Sequence, residues 1–334
     1  MLDDTISERA RTLYQNTYVI DAHAGVFPDP RVDLDLLHEW RRDGVNYLSI
    51  NVGFDLMDWQ QTMATLAAYR HYIVNHPDAF ILAGTLDDLS RAERDGKLAV
   101  SFDIEGMNAL NGDINMIDAY HALGIRQMLF AYNLDNEAAG GCHDGNTGLS
   151  NFGKTIVRRM NERGILVDAS HVSHKTSMDL IETSSKPVVF SHSNPNAIWR
   201  HQRNIEDDQI RACAETGGVI GINGMGIFLG ENDTSIETII RHICYLADLV
   251  GTEHIGFGFD YSPNLELDVG EILRSRPDFW PAGNQYDTPH IGHAGPPLLP
   301  AIIDQLLERG FAEPDITGLL GGNFRRVMTT VWKN

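Results

Sequence analysis

Ile165-Leu166-Val167-Asp168-Ala169-Ser170-His171 is a short apolar run that closes on an imidazole. The next such run, Pro187–Ser193, ends on His192. Toward the N-terminus, Leu98–Gly106 ends on Glu105 and Tyr18–Ala24 on His23; toward the C-terminus, Ile255–Tyr261 ends on Asp260. Val45–Val52, Arg126–Asn133 and Val219–Asn223 bring the number of runs to eight. They are almost continuously apolar, as parallel strands covered on both faces are. Metal-binding side chains repeated at the C-terminal ends of successive strands are what a (β/α)8 barrel uses to build an active site. Histidines scattered through a core would follow no such rule. The expected fold class is α/β, a (β/α)8 TIM barrel of the metal-dependent hydrolase type.

Between these runs the apolar period becomes helical. In Ser235–Val250, Ile236, Ile239, Ile240, Ile243, Leu246, Ala247 and Val250 form one stripe, and Gly251 stands where a left-handed cap is favoured. Asn151–Arg163 stops at Gly164, and Asp207–Thr216 stops at Gly217-Gly218. Leu299–Arg309 has Pro300 in its first turn and Gly310 at its end. No low-complexity linker divides the chain, so residues 1–334 are expected to form a single barrel domain. The segment 263–297 fits no regular element; it is rich in Pro, Gly and Asp and carries Trp280, His290 and His293. It follows the last barrel strand. Two readings stand: a long loop over the mouth of the barrel, since long ordered loops tend to be functional, or a surface excursion at a subunit contact.

Composition narrows the function classes. With 334 residues, 43% of them hydrophobic, the chain can bury one large core. A net charge of −20 argues against nucleic acid and anionic membranes as partners. The three cysteines, Cys142, Cys213 and Cys244, have no CxxC spacing, which argues against a disulfide framework and against a cysteine zinc site. Met1–Ala10 is acidic and polar, unlike a signal peptide, and no apolar window is long enough for a membrane span. A cytoplasmic location is the expectation.

The chemistry begins with Glu105, His171 and His192. Two imidazoles and a carboxylate with an open fourth position make a catalytic zinc set. Such a metal lowers the pKa of its water toward ~7 and polarises a carbonyl. Taken singly, each histidine reads as readily as a hydrogen-bonded core residue; three candidates at matching strand ends point to a metal. His23 is a fourth candidate. Asp21, two residues earlier on the same strand face, either ligates or orients His23 from behind, and position 25 on that face is Gly. Asp260, in Gly256-Phe257-Gly258-Phe259-Asp260, reads as a ligand, as a carrier of the reaction's proton, or as a helix cap. Arg203 reads as the anchor of a substrate carboxylate or as a surface arginine paired with Glu206 or Asp207. Tyr132 and Asn133 close the fourth run and face the mouth as candidate substrate-binding residues. The Tyr132 hydroxyl suits a carbonyl or oxyanion, and core packing with the hydroxyl outward is the other reading. Of the remaining histidines, His290 and His293 are the best placed to reach the site.

At these residues the sequence resembles the renal (membrane) dipeptidase family of zinc peptidases. The matching segments are Asp21-Ala22-His23, Asp103-Ile104-Glu105-Gly106, Gly148–Gly153, Val167–Ser173, Phe190–Ser193, Arg203-Asn204 with Asp207-Asp208, and Gly256–Asp260; Gly322–Val327 is similar to the family's ending. The resemblance runs from about residue 18 to the C-terminus. It implies a (β/α)8 barrel, zinc as cofactor, a dipeptide as substrate and a homodimer. It also implies that Glu105 bridges two zinc ions, that His171 and His192 complete one metal's shell, and that His23 binds the other. Asp260 then handles the proton and Arg203 holds the substrate's terminal carboxylate. Two positions depart from the family: Gly25 stands where it has a ligand aspartate, and Tyr132 where it has a substrate-binding histidine. Asp29 and Asp33 are acids that could fill the first gap. The expected function is a metal-dependent hydrolase that cleaves a dipeptide or related small amide with one or two Zn2+ per chain. The alternative is a non-catalytic or altered homologue that binds a small ligand.

Overall fold

The computed structural model describes residues 6–263 and 269–333. Residues 1–5 of the polar N-terminal stretch, and 264–268 of the long segment, lie outside the described residues. The strands are β1 (Ile20–Ala24), β2 (Tyr47–Phe54), β3 (Phe80–Leu82), β4 (Leu98–Glu105), β5 (Ile125–Leu129), β6 (Leu166–Asp168), β7 (Val188–Val189), β8 (Ile220–Ile222) and β9 (Ile255–Phe257). All pair in parallel. Regular ladders join β1, β2, β4, β5, β6 and β7 in that order, with β3 set on the first half of β4, and join β8 to β9 separately.

Two seams close the ring. Between β7 and β8, Phe190 pairs with Ile220, and Phe190 N donates to the Val219 carbonyl at 3.0 Å. Between β9 and β1, Ala24 pairs with Tyr261, and Asp260 N donates to the His23 carbonyl at 3.0 Å. Eight strands therefore make a closed (β/α)8 barrel, one for each expected run. The extra strand, β3, ends on no polar side chain and lies off the ring.

Helices fill the crossovers where the apolar stripes predict them: Asn151–Arg163, Asp207–Glu215, Ile236–Val250 and Leu299–Glu308. Ser150 and Ser235 cap two of them, accepting from Gly153 N and Thr238 N. Ile239, Ile240, Ile243 and Leu246 are buried against the barrel, each worth about 1.5–3 kcal/mol of transfer free energy. Gly164 takes the expected left-handed cap, whereas Gly251 does not: with φ 92° and ψ 159° it turns the chain at once into the next short helical turn. Among the described residues no helix is long and apolar enough to cross a membrane.

The regular strands are shorter than the apolar runs. β5 stops at Leu129, β6 at Asp168, β7 at Val189 and β9 at Phe257. Beyond them Asn133, His171 and Asp260 adopt φ of 62°, 67° and 54°, a left-handed turn that takes the chain out of the ladder. Hence these three side chains sit a few residues past the last ladder pair, whereas His23 and Glu105 lie within β1 and β4 themselves. In β1 the register slips between Asp21 and Ala24, so that one extra residue is accommodated beside His23; such bulges re-aim side chains.

The long segment is not wholly irregular, since Val269–Ser275 forms a helix, and its described part covers the mouth. Phe279, Trp280 and Tyr286 pack with Phe54, Ile227, Phe228 and Leu273 in an apolar cluster separate from the main core.

Candidate metal centre

Glu105 ends β4 with its side chain turned into the barrel mouth, almost wholly buried. Its Oε1 is the meeting point of three imidazoles: His171 Nε2 at 3.3 Å, His192 Nε2 at 3.4 Å and His23 Nε2 at 3.5 Å. The ligand atoms of His23, Glu105 and His192 all lie within 4.8 Å of one another. The rings of His23 and His192 stack at 3.9 Å. Four residues separated along the chain are thus brought to one point.

The hydrogen-bond network fixes what these atoms offer. Asn133 Nδ2 donates to the Phe279 carbonyl at 2.9 Å, so its Oδ1 faces His171 Nδ1 at 2.7 Å. An amide oxygen only accepts, so Nδ1 of His171 carries the hydrogen and Nε2 presents a lone pair. His192 Nδ1 is engaged by Ser191 Oγ at 2.7 Å. Burial, aided by the charges of Arg203 and His23, holds both imidazoles neutral, with pKa values well below the ordinary one. Among the described residues neither Glu105 Oε1 nor His192 Nε2 has a hydrogen-bond partner. Lone pairs of neutral imidazoles aimed at a buried carboxylate oxygen repel unless a cation lies between them. The donor set, nitrogen and oxygen with no sulfur, fits a divalent ion such as zinc.

His23 is supported differently. Its Nδ1 faces Asp103 Oδ1 at 3.4 Å. Burial opposes a charge on this ring, but the carboxylates of Asp103 and Glu105 override it and lift the pKa to about 10. Burial pushes Glu105 up to about 8. The His23 shift reports that the buried acids favour a positive charge at this point, and the Glu105 shift that burial disfavours an uncompensated negative one; a proton or a metal cation meets both.

Asp21 lies deeper than His23. Its Oδ2 accepts from Trp40 Nε1 at 2.9 Å and its Oδ1 from Phe259 N at 2.9 Å, so it ties β1 to β9 and orients the His23 segment. Asp260 faces the cluster, with Oδ1 3.8 Å from His23 Nε2 and Oδ2 accepting from Asn223 Nδ2 at 3.2 Å. It caps no helix among the described residues. Gly25 is in close contact with it: a Cβ at position 25 would stand 2.3 Å from the Asp260 carbonyl oxygen and 2.6 Å from its Oδ1. Asp260 therefore fills the space into which a side chain from position 25 would project. Asp29 is paired with Arg31 at 2.6 Å and Asp33 accepts from Asp35 N at 3.0 Å, and neither lines the cavity that holds the cluster.

Arg203 is only 3% exposed, which sets aside the surface reading. Among the described residues it has no ion pair. Its Nη2 reaches the His192 carbonyl at 3.4 Å, its guanidinium lies 5.2 Å from the centre of the Phe228 ring, and its Nε has no partner. The Tyr132 ring stacks on His171 at 4.4 Å, and its backbone N donates to Asp55. Asn133 lines the cavity, but its amide is engaged by His171 and Phe279. His290 and His293 also line the cavity.

Two cavities meet at His171. One, of about 470 Å³, holds His23, Glu105, Tyr132 and Asp260. The other, of about 500 Å³, holds Arg203, His201 and Gln202. Sequence reasoning missed Asp103, Asn223 and Asp55. Asp103 had a readable signal, because residues two apart on a strand share a face and Asp103-Ile104-Glu105 puts both acids inward. Asp55, which burial pushes up to about 6, joins Asn108 N, Tyr132 N and Asn136 Nδ2, and nothing in its local sequence announces this.

Comparison with known proteins agrees with this geometry. The chain is 28% identical over 288 residues to an uncharacterized protein in the pqqA 5′ region of Klebsiella pneumoniae, covering 82% of this chain and 96% of that one. It is 30% identical over 213 residues to an uncharacterized dipeptidase of Schizosaccharomyces pombe, covering 60% of this chain and only 51% of that longer protein. The crystal structure of an amidohydrolase from Pseudomonas aeruginosa superposes with a TM-score of 0.87 at 27% identity, over 97% of this chain and 99% of that one. The family described as membrane dipeptidase, peptidase family M19, matches residues 7–269. With most of its length matched by that family, and with a barrel mouth that gathers three histidines around one glutamate, the chain belongs to the membrane dipeptidase family of metal-dependent hydrolases.

Proposed function

We propose that this protein hydrolyses the amide bond of a dipeptide or closely related small amide, using zinc held by His23, Glu105, His171 and His192. The observation that carries the reading is the convergence of three Nε2 atoms on Glu105 Oε1, with no hydrogen-bond partner for that oxygen among the described residues. A divalent cation in that set supplies an acidified water and a polarised carbonyl.

The protein's own groups do the rest. Asp260 faces the cluster from the turn after β9, and Asn223 engages its Oδ2. Oδ1 is free to take the proton of the attacking water and return it to the leaving amine. Arg203 brings a buried positive charge, without an ion pair among the described residues, next to the cluster and binds the substrate's terminal carboxylate. Tyr132, fixed by its stack on His171, offers its hydroxyl to the carbonyl oxygen; burial pushes that hydroxyl's pKa far up, so it stays a donor at neutral pH.

The test is a dipeptide panel, including C-terminal D-residues, run on protein of known zinc content. Turnover is expected, and Asp260→Asn is expected to lower kcat by about 10²–10⁴-fold, the usual worth of a positioned acid–base group. Zinc-replete protein that binds but cleaves no dipeptide or N-acyl amino acid would leave the ligand-binding alternative standing.

A further inference from the structure

The two cavities that meet at His171 differ in chemistry. The one holding Glu105 and Asp260 is walled by six aromatic rings: Phe27, Phe54, Tyr132, Phe228, Trp280 and Tyr286. They support one another edge to face, with centroids 5.5 Å apart for Phe27–Phe54, 5.2 Å for Phe54–Tyr132, 6.0 Å for Tyr132–Trp280 and 6.2 Å for Phe228–Tyr286. Met225, Leu273 and Ile291 fill between them. The cavity holding Arg203 is polar: His201, Gln202, Asn146 and Asn284 line it, with Arg200 at its edge.

Beside its polar floor of metal ligands, the cavity of about 470 Å³ has an aromatic wall that a small polar substrate would leave unused. Such a wall is worth building where an apolar group must be desolvated, because each buried carbon then adds to binding. The polar side fixes the orientation. If the carboxylate-bearing amine half turns past His171 toward Arg203, the scissile carbonyl lies at Glu105 and the acyl half remains among the rings.

We propose that the preferred substrate is an amide whose acyl half carries a large aromatic or branched apolar group, joined to a small amino acid with a free carboxylate. This rests on the hydrolase reading above and narrows it. Trp280 is the residue that sets the preference. It comes from the long segment after β9, is buried against Tyr132, and completes the aromatic wall.

The experiment measures kcat/KM for Gly-Ala, Ala-Ala, Leu-Ala and Phe-Ala on zinc-loaded protein, each with L- and D-alanine. The proposal expects Phe-Ala to exceed Gly-Ala by at least about tenfold, since a single methylene in an apolar pocket is already worth that much. Trp280→Ala should collapse the Phe-to-Gly ratio, and Trp280→Phe should keep most of it; thermal melts show whether each variant folds. Equal rates along the series would overturn the proposal and leave the hydrolase reading intact. So would a preference that survives Trp280→Ala in folded protein, because its source would then lie elsewhere. Failure to cleave any member, or any other dipeptide, removes both readings together.

Discussion

His23 on one side of Glu105, and His171 with His192 on the other, meet the same carboxylate oxygen but are held in opposite ways. Behind His171 and His192 stand neutral groups, the Asn133 amide oxygen and the Ser191 hydroxyl, each at 2.7 Å. Behind His23 stands a carboxylate, Asp103, whose other oxygen accepts from Ser49 Oγ at 2.5 Å. The neutral partners orient a ring without adding charge. The charged partner makes its ring a stronger base and donor, as carboxylate–histidine–metal triads do. The barrel thus divides the work: one side of the cluster sets geometry, the other sets charge.

The contrast can be broken most sharply at Asp103. Asp103→Asn keeps the shape and removes the charge, and zinc affinity, measured by competition with a chelating dye, should fall about 10–100-fold. Metal binding must next compete with the protons that Asp103 and Glu105 favour on this side. Because the folded-state pKa values of His23 and Glu105 are raised to about 10 and about 8, zinc uptake displaces protons across neutral pH. Apparent affinity should therefore rise with pH, by about tenfold per unit for each proton displaced, in titrations between pH 6 and 9. The sign for stability is the reverse. With a chelator present, the folded chain keeps a proton on Glu105 that the unfolded chain loses near 4.5, so the stability Glu105 contributes should fall as pH rises toward about 8, read as the pH dependence of the difference in melting temperature between the protein and Glu105→Gln. The smallest effect belongs to the neutral side. Ser191→Ala should cost less than Asp103→Asn, about tenfold or less in affinity. If Ser191→Ala proved the costlier change, the division of labour would be wrong.

Much of this was legible along the chain. The eight runs of the barrel, the crossover helices and the three histidines around Glu105 Oε1 all follow from periodicity and from what stands at strand ends. What periodicity cannot carry is pairing between distant segments. Asn133 and His171 are 38 residues apart, and only the turn that gives each a positive φ lets them face one another. Gly25 reads along the chain as a lost ligand, whereas in space it is the position against which Asp260 packs. Gly258 is similar: its missing side chain leaves room for the Ser191 carbonyl, which would lie 2.0 Å from a Cβ there. Arg203 looked as much like a surface cation as a binding group, because the burial that decides between them comes from the Phe228 ring and the His192 backbone.

The two seams of the barrel carry one more consequence. β1 and β7 are the free margins of a long arc, and the β8–β9 pair is the wedge that completes the circle. His23 lies in one margin and His192 just past the other, so an ion shared by them would rivet the arc's two lips together. Amide hydrogens near Phe190 and Asp260 should then exchange with deuterium slowly in zinc-bound protein and much faster after chelation, making the cofactor a mechanical fastener as well as a reagent.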